Sequence, residues 1–216
     1  MRLLAEGLSA RRGEDLIFND ISFVLDAGEA LLVTGPNGSG KSTLLRVLAG
    51  LLTAETGHLK LEGGPPELQH PSELSHYLGH RNAMKRELTV AENLSFWKRF
   101  LGDSFGGAGW EIGAAAEAVG LPGITHLPFG YLSAGQQRRM AMAKLLVAYR
   151  PIWILDEPTA ALDAAADTLF AGLVNAHLQQ GGIVVAATHQ PLGLGRVKEL
   201  RMTGFAGVDG GLWHDA

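Results

Sequence analysis

The 216-residue chain contains no cysteine, which removes disulfides and thiolate metal sites from consideration. It also lacks any run of 18 consecutive apolar residues, so no segment is suited to cross a bilayer as a helix. Its opening, "MRLLAEGLSARRGED", has no apolar stretch of signal-peptide length. Such a chain is expected to be soluble by itself. Charge of one sign is scarce too: 18 Lys and Arg stand against 22 Asp and Glu, formally −4. That balance gives no general attraction to nucleic acid, and no nucleic-acid partner is expected. Apolar residues are abundant at 46 %. They suffice for one sizeable domain, or a core domain with a small appended subdomain, and they argue against disorder.

The first third reads as short strands with turns: "RLLAEGLSAR", "DLIFNDISFVLD" and "EALLVTG". The middle one alternates partly, with Ile17, Ile21, Phe23 and Leu25 apolar, and the three suggest a small, partly antiparallel sheet. A helix is expected from Lys41 to about Ala49, ended by Gly50. "GHLKLEG" and "LSHYLGH" read as two further strands. Thr89, with Glu92 three residues on, is a capping-box signal for a helix over 89–101. A second helix is expected around "WEIGAAAEAVG", so 85–135 reads as a mostly helical subdomain inserted between sheet elements. Beyond it the pattern alternates: helix 134–149, strand "IWILD", helix 163–179, strand "GIVVAAT". Apolar strands separated by helices suggest a buried parallel sheet.

"GPNGSGKS", residues 35–42, fits G-x-x-x-x-G-K-[ST] and lies between an apolar strand and a helix. Glycines let backbone N–H groups curl around phosphate oxygens, and the helix N-terminus adds a favourable dipole. The candidate nucleotide contacts are therefore Gly35, Pro36, Asn37, Gly38, Ser39, Gly40, Lys41, Ser42 and Thr43. Lys41 can reach the β- and γ-phosphates of ATP, and the Ser42 hydroxyl can ligate Mg²⁺. At the end of "IWILDE", Asp156 is placed to hold Mg²⁺, and Glu157 beside it can polarise an attacking water. Together these point to a nucleoside triphosphatase.

"LSAGQQRR", residues 132–139, goes further. With it the chain resembles the nucleotide-binding subunits of ABC transporters, whose signature usually reads LSGGQ, over nearly its whole length. The resemblance implies a single ABC ATPase domain over 1–216. Its α/β fold would be a P-loop NTPase (RecA-like) core with a small antiparallel β subdomain over 1–84 and 136–216, and an inserted helical subdomain over 85–135. "PTAALD" looks like the family's D-loop, ending in Asp163, and "ATHQ" offers His189 as the switch histidine that contacts the γ-phosphate. The resemblance also implies a head-to-tail homodimer with ATP sandwiched between one protomer's P-loop and the other's signature. Ser133, Gly135 and Gln136 would then face nucleotide across the interface, and a lone protomer should hydrolyse ATP poorly.

Three departures from the family pattern stand out. His80 lies nine residues before Thr89, where most members have a glutamine that reports γ-phosphate and Mg²⁺ to the membrane partner. A neutral imidazole can still hydrogen-bond there or ligate a metal. His76 and His80 cannot share an ion on a strand, where they stand about 13 Å apart. The aromatic residue that usually stacks on adenine is replaced by Arg11 or Arg12, which could stack through a guanidinium plane or be a solvated turn residue. ATP against GTP stays open on that ground. Ala134 in the signature is the third.

"YLGHRNAMKRELTVAENL" and "LPFGYLSAGQQRR" resemble one branch in particular: the ATP-binding subunit of the cytochrome c maturation (haem exporter) system. That resemblance implies integral membrane transporter subunits as partners and a peripheral place on the cytoplasmic face of the inner membrane. Haem itself is not expected to touch the chain. The alternatives are an ABC subunit for a different substrate, or a non-transport ABC ATPase. The cluster Phe96, Trp97, Phe100 and Leu101 reads either as core or as a seat for a coupling helix of the membrane partner.

Overall fold

The computed structural model describes residues 1–64, 70–102, 107–160, 162–188 and 197–204. The chain divides into two compact units: Met1–Tyr77 with Pro151–Pro158 and Val174–Ala216, and Leu78–Arg150 with Thr159–Leu173.

In the first unit, β1 (Arg2–Arg12) pairs antiparallel with β2 (Asp15–Asp26) and with β4 (Thr56–Glu62), in the order β2-β1-β4. Along β2, Ile21, Phe23 and Leu25 are buried while Ser22 and Val24 face out, the period-two pattern of a sheet with one covered face. The second sheet has the order β5-β6-β7-β3-β8, from β3 (Ala30–Thr34), β5 (Ser75–Leu78), β6 (Ile152–Asp156), β7 (Ile183–Ala187) and β8 (Val197–Arg201). Every residue of β6 and β7 is buried, as strands covered on both faces require.

One sequence expectation changes here, and one strand is unexpected. "EALLVTG" does not join the antiparallel sheet: β3 pairs parallel with β7 and β8. Ala30, Leu31 and Val33 are all buried, and successive burial fits a covered parallel strand. Residues 197–201 form a strand that apolar patterning does not announce, because Lys198, Glu199 and Arg201 interrupt it. Among the described residues β8 ends its sheet, and Lys198 Nζ meets Glu29 Oε2 at 2.6 Å. Between β3 and β4, helix α1 (Lys41–Leu48) ends before Gly50, whose φ is +68.

The second unit holds α2 (Val90–Leu101), α3 (Ile112–Ala118), α4 (Ala134–Val147) and the first part of α5 (Ala164–Gln179). The capping box at α2 is formed: Thr89 Oγ1 accepts from Glu92 N at 3.1 Å, and Glu92 Oε2 accepts from Thr89 N at 2.8 Å. The Thr89 N–H, and after it the Thr89 hydroxyl donating to the same Oε2 at 2.8 Å, hold the Glu92 carboxyl below its usual range. Buried Asn93 ties down the preceding loop. Its Nδ2 donates to the carbonyls of Lys85, Leu88 and Thr89, and its Oδ1 accepts from Lys85 N. α4 is buried along Met140–Val147 on all sides, as a helix at the centre of its unit must be. No described helix is long and apolar enough to cross a membrane.

Candidate nucleotide site

Residues 35–40 join β3 to α1, and three of their glycines have φ of +132, +82 and +98 at Gly35, Gly38 and Gly40. Two of these positions are also too close to neighbours for a side chain. A Cβ at Gly35 would lie 2.1 Å from the Met202 carbonyl oxygen, and one at Gly40 would lie 2.7 Å from Ile17 Cγ2. The segment after β8 and strand β2 therefore shape the loop from outside it. No side chain caps the N-terminus of α1, and the amides of a helix's first turn have no partner within the helix. Ser39 is buried, and its hydroxyl has no hydrogen-bond partner. Lys41, 8 % exposed, folds over the loop: its ammonium donates to the carbonyls of Gly35 at 2.7 Å and Pro36 at 3.0 Å. A cradle of positive-φ glycines, an unsatisfied buried hydroxyl and a cation is chemically fitted to a phosphate chain.

Asp156, at the carboxyl end of β6, is 1 % exposed. Its Oδ1 accepts from Ser42 Oγ at 3.0 Å, and its Oδ2 accepts from the Tyr77 hydroxyl at 3.3 Å. Ser42 and Asp156 form a pair of hard oxygen donors, the type that suits Mg²⁺. Tyr77 was not marked by sequence reasoning. Burial first, then the neighbouring Asp156 charge, raises its hydroxyl above the ordinary tyrosine range. Glu157 is half-buried, with φ of +46, a left-handed conformation that a non-glycine residue adopts at a cost of about 1–3 kcal/mol. Its N–H donates to the Ala187 carbonyl at 2.8 Å, which fixes the turn at the end of the sheet.

In the second unit, Ser133 caps α4. Its Oγ accepts from Gln136 N at 3.3 Å, while Gln136 Oε1 accepts from Ser133 N at 2.9 Å. Ser133 and Ala134 are exposed, Gly135 and Gln136 half-buried, so the positive end of a 14-residue helix faces solvent. Arg138, buried in the same helix, donates to the Gly79 carbonyl at 2.7 Å and so holds the segment that carries His80. His80 itself is exposed, two residues past β5. Among the described residues, no group of three or more His, Cys, Asp and Glu is arranged to hold a metal ion. Arg12 is exposed at the end of β1, and Arg11 donates to the Glu14 carbonyl at 2.9 Å across the hairpin turn. Asp163 caps α5 by accepting from Ala166 N at 2.8 Å. His189 lies outside the described residues.

A sequence model of the ABC transporter family matches residues 18–160, which contain both halves of the phosphate site and the Ser133 signature. The chain belongs to the ABC transporter family. It is an ATP-binding subunit of that family's transport-coupled ATPases. Among curated relatives, the cytochrome c biogenesis ATP-binding export protein CcmA of Rhizobium meliloti is 78 % identical over 205 residues, covering 95 % of this chain and 99 % of the relative. The protein of that name in Brucella melitensis is 52 % identical, covering 97 % and 99 %. Among solved structures, an ABC transporter ATP-binding protein from Pyrococcus furiosus shares the fold at TM-score 0.78 and 22 % identity, covering 94 % of this chain and 98 % of that one. A dimeric ATP-binding cassette in a post-hydrolysis state with ADP and Pi matches equally, with TM-score 0.78, 22 % identity and 96 % of both chains covered.

Proposed function

We propose that this ABC ATPase powers the export step of cytochrome c biogenesis, with haem delivery as the process served. The observation that supports the pathway is the near full-length identity to export proteins of that name. The residue roles rest on the site's chemistry. Lys41 and the loop amides bind the β- and γ-phosphates of ATP. The Ser42 hydroxyl and the Asp156 carboxylate would hold Mg²⁺, which when bound supplies positive charge against the phosphate oxygens. Glu157 orients and deprotonates the attacking water, and its strained backbone sets the direction of its carboxylate. His189 acts as the γ-phosphate contact, His80 as the residue that reports on the Mg²⁺ site, and Arg12 as the candidate support for the base.

Two copies work head to tail, so that Ser133, Gly135 and Gln136 at the exposed positive end of α4 face the γ-phosphate held by the partner. The chain acts as one ABC domain with 85–135 as its helical subdomain, peripheral on the cytoplasmic face of the inner membrane. Integral membrane subunits dock on α2, where Phe96 and Phe100 stack on each other yet are 53 % and 69 % exposed. Trp97 between them is anchored, donating to the Ala83 carbonyl at 2.9 Å and lying 4.6 Å from the Lys144 ammonium. Only the outward aromatics are thus left for a partner.

The test is deletion of the gene, staining of membranes for covalently attached haem, and complementation with wild type and with Glu157→Gln. Loss of all c-type cytochromes, restored by the wild type alone, is the expected result. Normal cytochromes in the deletion strain would reduce the assignment to an ABC transporter ATPase for another cargo.

A further inference from the structure

We infer that Tyr77 is a positioning residue for Asp156, and that it sets how well the phosphate site takes up Mg²⁺. The inference rests on the reading of Ser42 and Asp156 as the Mg²⁺-holding pair. β5 and β6 are neighbours in the five-stranded sheet, so Tyr77 on one strand lies beside Asp156 on the other. Along β5, His76 and Leu78 are buried and Ser75 and Tyr77 half-buried, so the tyrosine belongs to the more open face. Its hydroxyl donates to Asp156 Oδ2 at 3.3 Å while Ser42 donates to Oδ1 at 3.0 Å. Each carboxylate oxygen thereby has its own donor, from a different element.

The donor direction of the phenol is fixed by the carboxylate itself. A carboxylate oxygen only accepts, so the phenol's proton points at Oδ2. The terminal torsion of an aspartate is broad and nearly two-fold. Loss of the hydroxyl on Oδ2 loosens the hold on the carboxylate plane and with it the relation of Oδ1 to Ser42. Outer partners that orient a ligand commonly change metal affinity tenfold or more. The Tyr77 hydroxyl is such an outer partner, and it ties β5 to the carboxyl end of β6.

Tyr77→Phe tests this in the full-length protein, since it keeps the ring and removes the hydroxyl. Three quantities are measured: affinity for a fluorescent ATP analogue in EDTA, the gain in that affinity as Mg²⁺ is added, and the thermal midpoint in EDTA. The expected result is a roughly tenfold higher half-saturating Mg²⁺ concentration, with affinity in EDTA and the thermal midpoint as in wild type. Superimposable Mg²⁺ curves for wild type and Tyr77→Phe would overturn the proposal. If Ser42→Ala and Asp156→Asn also leave the curve unchanged, the parent reading of the Mg²⁺ pair falls and this inference with it. A Tyr77→Phe curve that is wild-type while those two variants shift it refutes the role of Tyr77 alone.

Discussion

Glu157 carries the clearest conflict between stability and chemistry in a single residue. Its φ of +46 is one that glycine adopts freely and a side-chain-bearing residue does not. Glycine there would relieve strain of about 1–3 kcal/mol, partly offset by the roughly 0.5–1 kcal/mol that glycine adds to the entropy of the unfolded chain. Glu157→Gly is therefore expected to raise the thermal midpoint by a few degrees, as about 1 kcal/mol does in a chain of this size. The same variant should lose ATP hydrolysis by a factor on the order of 10²–10⁴, the usual contribution of a general base. Calorimetry and a phosphate-release assay read the two effects separately. A variant that is both less stable and inactive would show that the backbone conformation is not strained. The importance of Glu157 is legible from "IWILDE", but its conformation is not, because no residue type at that position announces a left-handed turn.

At the scale of elements, buried polar groups fix how helices begin and end. Asn93 makes four hydrogen bonds to the 85–89 loop from a buried position. Asn93→Ala would strand those backbone groups and is expected to cost about 3 kcal/mol, measured as the shift in the urea midpoint. His177 does similar work at the C-terminal end of α5. It stacks on Trp153 of β6 with ring centroids 4.0 Å apart, and its Nε2 lies 3.2 Å from the Pro151 carbonyl. Gly182 is required beside it, since a Cβ there would sit 2.2 Å from the ring. Burial lowers the His177 pKa from 6.5 to about 4. As pH falls below 6.5 the unfolded chain takes up a proton that the folded chain refuses until about pH 4. Stability should therefore drop across that window by about 3 kcal/mol, and His177→Phe should flatten this part of the pH profile. Equal slopes for wild type and variant in denaturation series from pH 7 to 4 would refute it. Local signals such as the Thr89–Glu92 capping box and the "GPNGSGKS" loop are readable because their partners are a few residues apart. The Tyr77–Asp156 bond joins residues 79 apart, and β8 hides behind three charged residues. An aromatic stripe at helical spacing has the same period whether its partner is inside the chain or outside it, so the exposure of Phe96 and Phe100 needed the structure.

For the whole molecule, the two halves of the proposed catalytic machinery fall in different compact units of one chain. Lys41, Ser42, Asp156 and Glu157 belong to the first, and Ser133 with α4 belongs to the second. If two protomers pair head to tail, each composite site takes its phosphate loop from one chain and its signature from the other. Lys41→Ala alone then disables both sites of a homodimer, and so does Ser133→Arg, which puts a bulky side chain at the exposed end of α4. In a mixed dimer, one site combines both lesions, while the other combines the intact phosphate loop of the Ser133→Arg chain with the intact signature of the Lys41→Ala chain. Mixing two inactive variants is therefore expected to restore ATP hydrolysis, with a maximum near equal proportions. The wild type should show specific activity that rises with protein concentration as protomers pair. Had each chain completed its own site, neither mixing nor concentration would change the rate. Recovery on mixing separates the two arrangements because mass action alone, with no change in any residue, decides whether an intact site exists.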